Sequence, residues 1–120
     1  MVIIASIAST AFVIFTAPRS KAAQWKTVLG GHGTALLVGG ISTLLTPDTA
    51  LTSAMLAAAA VVICVVLMHA LEFKHAPAAG TALGIATTGF SISLALAVVG
   101  SIGLLGLTAY LFKSHLRTVR

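Results

Sequence analysis

Two polar, glycine-bearing breaks interrupt an otherwise apolar chain, and they hold the residues able to do chemistry. The first, Phe15 to Gly33, reads FTAPRSKAAQWKTVLGGHG and carries Arg19, Lys21, Lys26 and His32. The second, Phe73 to Gly84, reads FKHAPAAGTALG and carries Lys74 and His75. Helix starts made of small residues expose amide N–H groups without partners and bear the positive end of the helix dipole. In membrane carriers such half-helix ends point at anionic groups of the substrate. The stretch His75-Ala76-Pro77-Ala78-Ala79-Gly80 can make one such end, with Pro77 at the first helical position and Thr81 just beyond. Gly30, Gly31 and Gly33 either admit a ligand to the backbone, having no side chain to block it, or let helices pack closely in a bilayer. His32 falls about 12 Å along a helix that starts at Gln24, a depth at which a histidine is a functional-site candidate by default. His75 is either a second donor to the same ligand or a loop residue at headgroup level. Lys26 and Lys74 add positive charge close by.

The acids are as informative by position. Asp48 sits in a turn and Glu72 at a helix end, so neither lies inside an apolar segment. Proton-driven export of cations needs an intramembrane acid to hold the cation or relay the proton, so the available chemistry points to anions. Proton coupling, where present, has only histidine to use. No carboxylate pair, Ser-His-Asp set or Cys-His set follows from the spacing. No catalytic residue, metal site or cofactor is therefore expected, and the chain is read as a non-enzyme. Cys64 is the single cysteine and lies within an apolar run, which excludes an internal disulfide and suits a small packing residue.

These residues must be positioned by elements immersed in lipid. Hydrophobic residues make up 58% of the 120 and charged residues 8%, with a mean hydropathy of +1.11; so few charges cannot cover a water-facing surface. The net charge of +5 is gathered between and after the apolar runs, a pattern for headgroup contact and topology control. Nucleic-acid binding is excluded, because only Trp25 lies among the basic residues as a stacking aromatic. Trp25 and Tyr110 read as interfacial belt residues. Val2 to Thr16 has no basic residues before it and reads as a retained span rather than a signal peptide.

The expected fold is all-α, a single transmembrane domain over residues 1–120, with about five short segments and helices broken at Gly and Pro. After 2–16 a helix runs from Gln24 or Trp25 to Leu45, and Thr46-Pro47-Asp48-Thr49 makes a turn in which Asp48 or Thr49 caps the next helix. Leu51 to Leu71 is an uncharged span. Ala78 to Phe112, as one helix, would reach about 50 Å against a hydrocarbon core of about 30 Å. It must therefore break, at Thr87-Thr88-Gly89 or at Gly100-Ser101-Ile102-Gly103, and segments of 78–91 and 94–112 are favoured. Five segments put the Arg19/Lys21/Lys26 loop, the Lys74 loop and the Lys113/Arg117/Arg120 tail on one side, the cytoplasmic one, and Asp48 on the other. The protein is placed in the cell membrane as a multi-pass chain whose partners are the bilayer and a small inorganic anion. Its small-residue faces favour a homo-oligomer. Gly33-Thr34-Ala35-Leu36 recurs as Gly80-Thr81-Ala82-Leu83, a hint that the two breaks face one pocket.

The same residues, in order, resemble the HPP family of small integral membrane proteins, whose characterised members are nitrite transporters of chloroplasts and cyanobacteria. The family's Gly-Ala-Ser, Pro-Arg-Ser, Gln, basic residue, Gly-Gly-His and His-Pro-Pro-Ala-Gly-Ala pattern reads here as Ala8-Ser9-Thr10, Pro18-Arg19-Ser20, Gln24, Lys26, Gly30-Gly31-His32 and His75-Ala76-Pro77-Ala78-Ala79-Gly80. The resemblance implies a helical membrane protein that passes nitrite or another small anion. In that reading Ser9 and Thr10 are candidate hydroxyl donors to the site. Ala76 replaces the first motif proline, the glycine is displaced by one place to Gly80, and Thr27 stands where the family often has asparagine. Relative to longer members the chain is expected to lack a leading helix and an appended regulatory domain. The alternative function is a non-transporting membrane subunit that uses its small-residue faces for assembly.

Overall fold

The computed structural model describes residues 2–45 and 47–112. Within them the chain forms α1 (Val2–Thr16), a short 3-10 turn (Lys21–Ala23), α2 (Trp25–Ser42), α3 (Ala50–Leu71), α4 (Pro77–Thr88) and α5 (Ile92–Leu111). The breaks fall where the chain loses a helical donor or gains a cap. Thr49, rather than Asp48, caps α3: its hydroxyl accepts from the Thr52 amide while the Thr52 hydroxyl accepts from the Thr49 amide. Pro77 opens α4. Ser91 caps α5, its hydroxyl accepting from the Leu94 amide at 3.0 Å. The long apolar run thus breaks at residues 89–91, the first of the two weak points in the sequence, while Gly100 and Gly103 continue the helix. The basic tail with Lys113, Arg117 and Arg120 lies outside the described residues, as does its expected side.

Among the described residues only α3 and α5, of 22 and 20 residues, are long and apolar enough by themselves to cross a bilayer. At 12 residues, α4 is about 18 Å long. It is also the enclosed element: large apolar side chains are exposed on α1, α2, α3 and α5 but on none of its positions, and it contacts α1, α2 and α3. One apolar cluster joins Ala35 and Val38 of α2, Ala60, Cys64 and Met68 of α3, and Ala78 and Ala82 of α4. A second joins Ile14, Val28, Val98 and Ile102 of α1, α2 and α5. Small residues set the approach of the helices. A Cβ on Gly39 would come within 2.9 Å of the Ile85 Cβ, and one on Gly84 would strike Ile3.

The helices alternate in direction, so the 3-10 turn and the α3–α4 turn lie at one end. A hydrogen bond joins them: His75 Nδ1 donates to the Ala22 carbonyl at 2.9 Å. Lys21 and Lys74 share this end, whereas Asp48 lies at the other. There α4 ends at Gly89, with φ 94° and ψ 156°, a region open essentially to glycine alone. Gly89→Ala is expected to lower stability by about 1–3 kcal/mol through backbone strain, because nothing lies within 4 Å of the added Cβ. Gly100→Ala, equally open but helical, is the control. Thermal denaturation of the two variants in detergent separates strain from crowding.

Candidate functional site

Five polar side chains from three helices and one turn converge in the interior between α1, α2 and α4. Ser6 and Thr10, one helical turn apart on α1, face inward at 4% and 0% exposure. His32 enters from α2, Thr81 from α4, and His75 from the α3–α4 turn. The approach is possible because Gly80 admits Ser6, whose Cβ would stand 3.2 Å from an added methyl, and Gly31 admits His75 in the same way at 2.9 Å. Glu72, at φ 61°, turns the chain at the end of α3 and returns the Phe73 amide to the Met68 carbonyl at 2.9 Å. The Phe73 ring then lies over Gly30.

The contacts form one line. Ser6 Oγ lies 2.6 Å from the Pro77 carbonyl and 2.6 Å from Thr81 Oγ1. Thr81 Oγ1 is 2.9 Å from His32 Nδ1. His32 Nε2 is 2.9 Å from Thr10 Oγ1, and Thr10 Oγ1 is 3.0 Å from His75 Nε2. Thr10 also reaches the Ser6 carbonyl at 3.1 Å, and His75 Nδ1 reaches Ala22. The imidazoles meet edge to face, 5.1 Å between centroids. Burial holds His75 below the ordinary histidine range, with the Ala22 carbonyl pulling the other way. Among the described residues no buried side-chain nitrogen or oxygen lacks a partner.

Counting protons shows what such a line can do. With both rings neutral there are five, one per hydroxyl and one per imidazole, for seven contacts. A carbonyl only accepts, so His75 carries its proton on Nδ1 and accepts at Nε2. The line then runs one way: Ser6 donates to Thr81, Thr81 to His32 Nδ1, His32 Nε2 to Thr10, and Thr10 to His75 Nε2. The Pro77 and Ser6 carbonyls go unserved by it. Shift each of these protons one contact along and add one at Ser6, and every donor reverses. His75, now an imidazolium, donates to Thr10, Thr10 to His32, His32 to Thr81, Thr81 to Ser6, and Ser6 to the Pro77 carbonyl. A proton delivered at Ser6 thereby emerges on His75, and one more contact is served than before. The line has the connectivity of a proton relay, and no carboxylate belongs to it.

The structure therefore brings together His32, His75, Thr10 and Thr81, as well as Pro77 through its carbonyl. Gly30, Gly31 and Gly80 border the site as packing glycines, occupied by Phe73, His75 and Ser6. Gly33 meets nothing within 4 Å. Ser9 is a correction: it is exposed on the outer side of α1, and Ser6, four residues before Thr10, takes the inward place. Lys26 is also exposed and makes no contact with the line, whereas Lys21 and Lys74 border a cavity beside it together with Thr27 and Glu72. The recurring Gly-Thr-Ala-Leu places Ala35 and Ala82 in one apolar cluster, but its threonines differ. Thr34 turns back to the Gly30 carbonyl within its own helix, and Thr81 joins the line.

An all-helical bundle with an apolar exterior and a buried histidine–hydroxyl line defines a membrane protein with a polar interior. The family model described as HPP, transmembrane region, matches residues 1–119, and the chain belongs to the HPP family. Neither the curated proteins nor the solved structures include a match.

Proposed function

We propose that the protein carries a small inorganic anion, nitrite in the first instance, across the membrane, and that it is not an enzyme. The observation that carries the reading is the buried, carboxylate-free line from Ser6 to His75, built where the two polar breaks meet. Polar groups at such depth are costly in lipid, and where they are kept they mark passages and relays. A proton held on this line would leave an uncompensated positive charge among apolar helices, and a monovalent anion beside it cancels that charge. Anion and proton thus favour one another at the same place. Five segments enter the bilayer, with the basic turns cytoplasmic. Gly100, Gly103 and Gly106 of α5, all open, suit close contact between copies.

A specific observation favours the second reading, an assembly subunit: the line satisfies itself without a ligand. Flux decides between them. In liposomes containing the purified protein, nitrite uptake is expected to exceed that of protein-free liposomes and to move protons in the same direction. Uptake equal to empty liposomes for nitrite, nitrate, formate and halides rejects transport. The subunit reading instead requires that His32→Ala and His75→Ala leave partner binding intact.

A further inference from the structure

Beside the histidine line, at the basic end, lies a second polar feature that the line does not use. Lys21, Thr27, Glu72 and Lys74 surround a cavity of about 120 Å³. Six buried hydroxyl side chains are described, Ser6, Thr10, Thr27, Thr34, Ser42 and Thr81. Five of them make hydrogen bonds; Thr27, only 7% exposed, makes none. Among the described residues no fully enclosed side-chain oxygen lacks a partner, so the Thr27 oxygen is not fully enclosed, and Thr27 borders the cavity. Thr27 belongs to the first turn of α2, a helix of 18 residues whose N-cap, Gln24, offers no side-chain hydrogen bond. The next amide to be paired is that of Val28, which donates to the Gln24 carbonyl, so the amides of residues 25–27 keep the free donors and positive potential of an uncapped helix start.

We propose that this cavity is a binding site for a monovalent oxyanion group. The donors are the Thr27 hydroxyl, the Lys21 and Lys74 ammonium groups and the start of α2; the volume admits a three- or four-atom anion. Charge selects its valence. Two lysines against Glu72 leave one positive charge, which one negative charge neutralises and a doubly charged phosphate overfills. The site also adjoins the line, because Lys74 precedes His75 and Lys21 precedes Ala22, whose carbonyl accepts from His75. As the cytoplasmic-side station for a transported anion it rests on the transport reading; as a binding site it stands without it.

The test is calorimetric titration of the protein in a phosphate-free maltoside detergent with sodium nitrite and sodium nitrate. A second arm uses a short-chain phosphatidylglycerol, whose phosphodiester is the other source of this chemistry. Thr27→Val keeps shape and breaks no existing hydrogen bond, and is expected to weaken binding about tenfold, a charged hydrogen bond being lost. Thr27→Ser is expected to restore it. Lys74→Gln is expected to weaken binding about threefold, and Glu72→Gln to tighten it about threefold, the scale of exposed charge pairs. Binding of nitrite, or of the lipid alone, with this order of variants supports the site and identifies its source. Absence of binding for all three ligands, or binding indifferent to Thr27→Val and Glu72→Gln, overturns it. Liposome flux reads the other proposal independently: flux with variant-indifferent binding rejects the cavity and keeps transport, and Thr27-dependent binding without flux does the reverse.

Discussion

Replacing His32 by alanine is expected to lower stability by about 2–4 kcal/mol, from two lost hydrogen bonds and the space left behind, and to reduce nitrite flux by about tenfold or more, as loss of a proton-transfer group does. His32 is 1% exposed and bridges Thr10 and Thr81 through its two ring nitrogens. Removing it cuts the line in the middle and strands a hydroxyl on each side. His32→Gln keeps hydrogen-bonding atoms and much of the volume, so it should fold, yet an amide cannot exchange its protons between two ends as imidazole does. Flux and melting temperature measured together separate the two effects. A His32→Gln protein that melts lower but still moves nitrite with its proton would make the line structural, and the relay would be wrong.

The second large effect is steric. Gly31→Ala is expected to cost about 1–3 kcal/mol, in the range of overpacked interiors. The new methyl would stand 2.9 Å from the His75 Cβ and 3.3 Å from both the Ala78 Cβ and the Phe73 carbonyl. None of these is the free end of a flexible side chain, so the α3–α4 turn must lift from α2 and carry His75 away from Thr10. Gly33→Ala, two residues along the same helix, meets nothing within 4 Å and should change the melting temperature little. If the two variants melt alike, the close seating of His75 on α2 is not as described.

Most of the helical layout is readable from chain length against membrane thickness. The 35-residue run after Pro77 had to break, and its capping serine and positive-φ glycine mark where. The two histidines were legible because a polar ring in an apolar helix has few bland explanations. The partners were less so. On α1 every face is apolar, so hydrophobic periodicity gives no inward direction, and the short Ala8-Ser9-Thr10 match could not say which hydroxyl turned inward. Only the four-residue spacing from Thr10 selects Ser6 over Ser9. The lysines were ambiguous for a related reason. Whether Lys26 or its neighbours border a cavity depends on how a turn folds over α2, and that is decided by Gly30 accepting the Phe73 ring.

The shortness of α4 bears on membrane voltage. At the end away from the lysines, a cavity of about 400 Å³ is bordered by Ser42, Thr43, Thr87 and Thr88 together with Leu45, Leu56 and Ala86, and between the two ends the enclosed helix is about 18 Å long. Where water fills the cavities at both ends, a potential applied across a bilayer core of about 30 Å falls mainly over that shorter interval. An elementary charge crossing the full potential gains about 2.3 kcal/mol per 100 mV, and here most of that drop would be concentrated on the stretch that holds His32 and Thr81. If the proposed transport runs past α4, an anion moving alone feels nearly the whole field there, whereas an anion accompanied by its proton feels almost none.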